Sequence, residues 1–195
     1  MRIVGGRLKG RSLAGPKSDA IRPTSDRLRE SLFNILWHGY GLPTPATRVL
    51  DLFAGTGALA LEALSRGAAF ALFVETGTEG RGLIRRNIED FGLTGSTRIF
   101  RRDATVLGKV GTMDPFDLVF CDPPYGKGLG EKTLAGAAAG GWLTPGTLIV
   151  LEERASIPVT LPEGFELLDR RESGDSQLLF VRYGGTAPIE DNLNP

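Results

Sequence analysis

The stretch Arg48-Val-Leu-Asp51-Leu-Phe53-Ala54-Gly55-Thr56-Gly57-Ala-Leu-Ala60 decides the fold. Its apolar first half predicts a buried strand, and the small residues after Gly57 predict a helix that packs close to a sheet. A glycine turn between strand and helix is a common nucleotide-binding position, because glycine lets the backbone approach a ligand closely. The same turn also serves packing alone, so other residues must decide whether a ligand binds.

Apolar strands and helical segments alternate along the rest of the chain. Strands are expected at 48–53, 70–75, 98–100, 116–121 and 147–151. Helices are expected at 58–66, 78–91 and 129–140, and an antiparallel strand pair at 165–170 and 177–183. This order predicts an α/β fold with a Rossmann-like, mostly parallel sheet, helices on both faces and a terminal antiparallel pair.

The N-terminal residues 1–24 form a distinct basic segment. Short β-type pieces broken by glycines predict a hairpin or an extended arm. Ser25 and Asp26 can cap a helix over 25–38, whose apolar residues fall on one stripe. The predicted organisation is therefore a basic arm at 1–24, a main domain at 25–183 with its sheet core at 47–183, and a flexible tail at 184–195.

The net charge of zero hides an uneven distribution. Residues 1–30 carry eight basic and three acidic side chains, a charge of +5, which leaves 15 basic and 20 acidic ones elsewhere. A basic arm on an acidic body favours contact with a polyanion, although a solvated tail is the alternative. No apolar run approaches the roughly 18 residues of a membrane span, and no signal peptide is expected because the N-terminal residues lack the apolar stretch of one. The single cysteine, Cys121, indicates a buried core residue in a reducing, cytoplasmic setting. With one histidine and one cysteine, no metal site is expected.

Acidic residues at the strand ends indicate what the glycine turn binds. Glu75 ends the second strand, 20 residues after Gly55, where it can accept from a ribose hydroxyl. Asp103 ends the third strand and can accept from an adenine amino group. A nicotinamide dinucleotide and S-adenosylmethionine both fit this arrangement. Asp51 lies just before the turn, where it would repel a pyrophosphate and suit a cationic methionine portion. The residues therefore favour S-adenosylmethionine, with S-adenosylhomocysteine as product.

A second motif, Asp122-Pro123-Pro124-Tyr125, ends the fourth strand. Two prolines make a stiff corner without backbone donors, which leaves the Asp122 carboxylate and two carbonyls as acceptors. Tyr125 adds a flat face. Such a corner suits a planar amine, which needs acceptors for its N–H groups and a stacking surface. A proline-stiffened surface turn is the structural alternative.

Together these motifs resemble amino-group methyltransferases of class I, which use S-adenosylmethionine. In particular, the chain is similar to the bacterial 16S rRNA guanine-N2 methyltransferase family (RsmD-type). The resemblance covers Arg2 to about Tyr183, and it includes the segment 50–67 and the Asp122 tetrapeptide. It rests most specifically on the two N-terminal segments, Arg2-Ile-Val-Gly-Gly-Arg7 and 22–36. The family pattern differs at Thr76-Gly77-Thr78-Glu79-Gly80, where glycines replace a helix-forming segment.

The resemblance implies methyl transfer to N2 of guanine 966 of 16S rRNA, as free RNA or in an assembling small subunit. It places Phe53 to Gly57 at the methionine end of the cofactor, Glu75 at the ribose, and Asp103 with Ala104 at the adenine. Asp122, Pro123, Pro124 and Tyr125 would hold the guanine. The basic residues expected to contact RNA are Arg2, Arg7, Lys9, Arg11, Arg22, Arg27 and Lys127. A monomer is expected. Alternatives are an adenine-N6 or protein-glutamine methyltransferase, or a non-catalytic RNA-binding protein.

Overall fold

The computed structural model describes residues 1–17 and 24–185, and one seven-stranded sheet crosses this part of the chain. Its strands are β1 (Arg48–Leu52), β2 (Phe70–Val74), β3 (Thr97–Phe100), β4 (Phe116–Cys121), β5 (Leu143–Arg154), β6 (Phe165–Ser173) and β7 (Ser176–Tyr183). Their order in the sheet is β3-β2-β1-β4-β5-β7-β6. The first five strands pair in parallel, and β7 pairs antiparallel with both β5 and β6.

Within the described ranges, four α-helices connect the strands or precede them. They are α1 (Asp26–Tyr40), α2 (Ala58–Ser65), α3 (Thr78–Asp90) and α4 (Leu129–Ala139). The Ser25 hydroxyl caps α1 by accepting from the Leu28 amide at 3.2 Å. Helices α1, α2 and α3 pack on one face of the sheet, and α4 packs on the other together with Trp142. The predicted Rossmann-like sheet with helices on both faces and a terminal antiparallel pair is confirmed.

Strand β5 is longer than its apolar pattern predicts. The expected strand ended at Leu151, whereas β5 continues through Glu152 and Glu153 to Arg154. The reason is pairing, since β7 continues to pair with β5 as far as Arg154 opposite Ser176. This extension carries two acidic residues to the carboxyl edge of the sheet.

The described part of the predicted arm folds back as a hairpin. Its two strands are joined by a bridge between Arg2 and Ser12, and Ile3 exchanges backbone hydrogen bonds with Arg11 and Gly10 at 2.9 Å each. Ile3, Leu8 and Leu13 are buried in the core that α1 and α2 share. The described hairpin therefore packs as part of the main domain. Residues 18–23, which include Arg22, and residues 186–195 of the predicted tail lie outside the described ranges.

Polar groups of α2 hold the hairpin in place. Glu62 accepts from the Val4 amide at 2.9 Å, and the Ser65 hydroxyl accepts from the Leu8 amide at 2.9 Å. The Ser65 hydroxyl also donates to the Gly5 carbonyl at 2.6 Å. Glu62 is itself fully buried and forms a 2.8 Å ion pair with Arg66. Because α2 begins directly after the glycine turn, the hairpin is fixed to the same element that positions that turn.

Candidate active site

The carboxyl ends of β1 to β5 surround a cavity of about 830 Å³. One side, here called the cofactor half, is lined by Asp51, Phe53, Ala54, Gly55, Thr56, Glu75, Asp103 and Ala104. The opposite side, here called the target half, is lined by Asp122, Pro123, Pro124, Tyr125 and Glu152, with Leu28 and Ser176 beside them. Gly57 does not line the cavity. It lies behind the turn, where an added Cβ would meet Ile84 and Phe73 at 3.0 Å.

The turn of the cofactor half is held in an unusual backbone conformation. Phe53 has a φ of 60°, which non-glycine residues rarely adopt, and Gly55 and Gly57 have φ of 55° and 76°. The Gly57 amide donates to the Ala54 carbonyl at 2.7 Å, which closes the turn. Strained backbone of this kind costs on the order of 1–3 kcal/mol and is concentrated at ligand sites.

Asp51 is buried at the base of the cavity. Its carboxylate accepts from the Ala60 amide, in the first turn of α2, at 3.3 Å. Burial, followed by repulsion from Asp122 and Glu75, raises the pKa of Asp51 well above its ordinary value. Three acidic side chains therefore face one space, and a cationic ligand there would relieve their mutual repulsion.

Glu75 connects the glycine turn to the start of α3. Its carboxylate accepts from the Gly55 amide at 2.8 Å and from the Gly77 amide at 2.6 Å. A Cβ on Gly80 would lie 2.8 Å from the Gly55 carbonyl oxygen and 2.9 Å from Glu75 Cγ. The glycines of the 76–80 segment thus allow α3 to pack against the turn. A carboxylate has about four lone-pair positions, so Glu75 retains capacity for a hydroxyl donor.

Asp103 caps a short 3-10 turn, Ala104–Val106, after β3. One carboxylate oxygen accepts from both the amide and the hydroxyl of Thr105 at 2.8 Å. These hydrogen bonds lower the pKa of Asp103, so it is an ionised acceptor at neutral pH. Asp103 is exposed and Ala104 is buried beside it. The pair offers an acceptor next to a small apolar surface, as an adenine amino group and ring require.

The target half is held by two acids of β5. The Tyr125 hydroxyl donates to Glu152, and the Gly126 amide donates to the Glu153 carboxylate at 3.0 and 3.2 Å. Glu153 is buried and also accepts from the Arg154 amide at 2.7 Å. Sequence reasoning missed both acids because the apolar pattern of β5 ends at Leu151. Two consecutive acids directly after a buried strand were the available signal.

Arg22 lies outside the described residues, and the other predicted RNA-binding residues do not line the cavity. Arg2 pairs with Asp26 at 3.5 Å. Arg11 donates to the Asp90 carbonyl at 2.7 Å and lies 5.1 Å above the Phe91 ring, so it attaches the hairpin to α3. The remaining described members of the predicted set are exposed: Arg7, Lys9, Arg27 and Lys127.

Residues 1–17 and 24–185 contain no group of three or more histidine, cysteine or acidic residues that could hold a metal ion. In the same ranges no helix is long and apolar enough to cross a membrane. Cys121 is buried, as predicted, and burial raises the pKa of its thiol well above the ordinary value.

Comparison with known proteins identifies the class of this fold. Over 198 residues the chain is 38% identical to Ribosomal RNA small subunit methyltransferase D of Escherichia coli strain K12, which covers 100% of this chain and 94% of that protein. The solved structure of yhhF from Escherichia coli superposes with a TM-score of 0.82 at 33% identity, over 95% of this chain and 99% of that one. An RNA methyltransferase from Salinibacter ruber in complex with S-adenosyl-L-homocysteine shares the fold, with a TM-score of 0.63 at 14% identity, over 89% and 100%.

The sheet order and these neighbours define a class I methyltransferase fold. A family model described as "Conserved hypothetical protein 95" matches residues 1–182. The chain belongs to this family, the RsmD-type family that its motifs predicted.

Proposed function

We propose that this protein transfers a methyl group from S-adenosylmethionine to the exocyclic N2 of a guanine in 16S rRNA. The observation that carries the proposal is that the acidic cofactor half and the acceptor-rich corner of Asp122 to Tyr125 line one cavity. The name of the Escherichia coli relative supports a small-subunit rRNA substrate. We further propose that the target is guanine 966.

The cofactor half fits S-adenosylmethionine in charge. The buried Asp51, together with Glu75 and Asp122, favours the positive charges of a sulfonium and an ammonium and opposes a pyrophosphate. Glu75 would accept from the ribose hydroxyls, and Asp103 from the adenine amino group. When bound, S-adenosylmethionine supplies an electrophilic methyl group. The chain's own contribution is then to hold and orient the acceptor nitrogen.

The target half suits that task. The guanine amino nitrogen is a poor nucleophile, because its lone pair is conjugated with the ring. Asp122 and the Pro123 carbonyl would accept hydrogen bonds from its two N–H groups and favour a pyramidal nitrogen. The base would stack on the Tyr125 ring. Fixing a reacting atom in this way supplies much of a rate enhancement. Because a paired base cannot reach the cavity, we expect an unpaired or flipped nucleotide.

The exposed basic side chains would supply phosphate contacts on 16S rRNA or the assembling small subunit. Arg7 and Lys9 project from the hairpin, Arg27 from α1, and Lys127 from the loop after Tyr125. Arg2 and Arg11 also belong to this proposal, although both already contact the protein. A monomer in the cytoplasm, acting without a metal ion, completes the proposal.

The direct test is methylation of 16S rRNA from a strain that lacks the modification, offered as free RNA and as small subunits with labelled S-adenosylmethionine. Mass mapping of the product should place one methyl group on N2 of guanine 966. Label on an adenine N6, or on a protein glutamine, would contradict the proposal. Calorimetric titration should show binding of S-adenosylmethionine and none of NADH. Binding of the RNA without any methyl transfer would instead support a non-catalytic RNA-binding protein.

A further inference from the structure

We propose that Glu152 is the residue that selects guanine, by accepting a hydrogen bond from N1–H beside the reacting amine. The inference rests on the proposed function and goes beyond it, since the Asp122 corner alone would hold any planar amine. Glu152 lies outside both sequence motifs, on the extended end of β5.

Strand register places Glu152 next to Asp122. Strands β4 and β5 are parallel, and Cys121 pairs with Leu151. Asp122 and Glu152 follow at the next positions of neighbouring strands, which lie roughly 4.8 Å apart. Cys121 and Leu151 are both buried on the α4 face, so the next residues turn to the opposite face. There Asp122 and Glu152 line a common space with Leu28 of α1.

A contact to Tyr125 then fixes where the Glu152 carboxylate lies. The Tyr125 hydroxyl donates to Glu152 Oε1, so the carboxylate lies at the hydroxyl end of that ring. A base stacked on the Tyr125 ring would therefore present one edge to Glu152. Glu152 is half-buried, and its carboxylate has further acceptor positions besides the one that accepts the Tyr125 hydroxyl hydrogen bond.

The chemistry of base edges explains the selection. Guanine carries two adjacent donors, N1–H and the N2 amine. The neighbouring carboxylates of Asp122 and Glu152 can accept a hydrogen bond from each, Asp122 from the amine and Glu152 from N1–H. Adenine and cytosine carry an amine beside a ring nitrogen that is an acceptor, and that nitrogen would face the Glu152 carboxylate without a proton between them. A site built to pair with a substrate N–H strongly rejects an analogue that lacks it.

The test compares guanine with 2-aminopurine, which keeps the N2 amine but has an acceptor at N1. The wild-type protein should methylate a 16S rRNA fragment with guanine at the target at least roughly 100-fold faster, as kcat/KM, than the same fragment with 2-aminopurine. Glu152→Gln replaces a pure acceptor with an amide that can also donate to N1. We expect kcat/KM of this variant to fall roughly 10- to 100-fold with the guanine fragment and to rise with the 2-aminopurine fragment.

Three controls separate selection from a merely structural role. Tyr125→Phe removes the hydroxyl contact and keeps the Glu152 carboxylate. It should therefore lower kcat/KM for both fragments without narrowing the ratio between the two values. Glu166→Gln, an exposed change on β6, should leave both rates unchanged. Calorimetry should give S-adenosylmethionine affinity within about threefold of wild type for Glu152→Gln, which also reports on folding.

The outcomes distinguish this inference from the proposed function. If the wild-type protein methylates guanine N2 and Glu152→Gln keeps the wild-type preference over 2-aminopurine, the role of Glu152 is wrong and the function stands. If Tyr125→Phe narrows the ratio as much as Glu152→Gln does, Glu152 only positions the ring, which also overturns the inference. If the wild-type protein does not methylate guanine N2, the proposed function fails, and this inference fails with it.

Discussion

The two halves of the cavity are constructed in different ways. In the cofactor half, a short stretch of chain carries the turn, and the carboxylates at the strand ends are held by nearby backbone amides, as Glu75 is by Gly55 and Gly77. In the target half, the Asp122 corner is held by side chains from β5, through Glu152 and Glu153. The first half thus depends on backbone amides, and the second on side chains that the extended end of β5 brings to the corner. Changes in one half should therefore leave the other largely intact.

The largest effect is expected from Asp122→Ala. Removing the acceptor that orients the amine should lower kcat for methyl transfer roughly 100- to 1000-fold, because orientation carries much of the rate. Asp51 and Glu75 remain to face the cationic cofactor in this variant, so the S-adenosylmethionine affinity measured by calorimetry should fall by less than about fivefold. Asp114→Ala, at an exposed position before β4, is the matched control and should be neutral. A near-normal rate in Asp122→Ala would remove that residue from the mechanism.

Gly80→Ala tests the opposite half. The new Cβ would press on the Gly55 carbonyl and on Glu75, at 2.8 and 2.9 Å, and would have to displace the turn. Overpacking of this kind costs about 1–3 kcal/mol, so S-adenosylmethionine affinity should fall by roughly 5- to 150-fold if that cost falls on the bound conformation of the turn. Gly82→Ala is the control on the same helix, because a Cβ there meets nothing within 4 Å.

The readout for Gly80→Ala is a pair of measurements. Calorimetry gives the cofactor affinity, and the rate at saturating cofactor reports on the target half. We expect the first to fall and the second to stay within about threefold of wild type. Equal losses in Gly80→Ala and Gly82→Ala would show that the glycines of α3 matter only as helix residues, and not through contact with the turn.

The same difference explains what could be predicted from sequence. The turn at Gly55, the strand-end acids and the Asp122 corner are visible because each is a local pattern at the end of an apolar strand. Glu152 and Glu153 were not predicted, because the length of β5 depends on pairing with β7, which comes 22 or more residues later in the chain. The attachment of Arg11 to Asp90 was equally invisible, since 79 positions separate them.

A smaller effect is expected from neutralising the hairpin, which tests whether RNA binding extends beyond the target half. Replacing Arg7 and Lys9 with glutamine removes two exposed charges without touching the buried side chains of the hairpin. RNA affinity should fall several-fold, and the slope of log affinity against log salt should become shallower by roughly 1.4. Arg85→Gln with Lys109→Gln is the control that removes two exposed charges elsewhere. An unchanged slope would restrict phosphate contacts to other surfaces.

The smallest effect, expected at Asp51, concerns stability. Because burial and neighbouring acids raise the pKa of Asp51 in the folded protein, the folded state holds a proton that the unfolded chain releases. The contribution of Asp51 to the free energy of unfolding is fully present below its unfolded pKa, and it is lost as pH rises through the raised folded pKa. Asp51→Asn keeps an acceptor for the Ala60 amide and cannot ionise, so the variant should not lose this stability as pH rises.

We expect Asp51→Asn to stabilise the ligand-free protein at neutral pH by about 1 kcal/mol, a common scale for substitutions at functional sites. The same variant should bind S-adenosylmethionine more weakly, because a cation is stabilised by the ionised acid. Urea unfolding at several pH values measures the first effect, and calorimetry the second. If the stability difference between wild type and Asp51→Asn does not grow between about pH 4 and 7, or if Asp51→Asn binds the cofactor as tightly as wild type does, the buried charge of the cofactor half is not kept for a cationic ligand. Stability gained together with affinity lost would mean that Asp51 is retained at a cost to folding because the cofactor requires it.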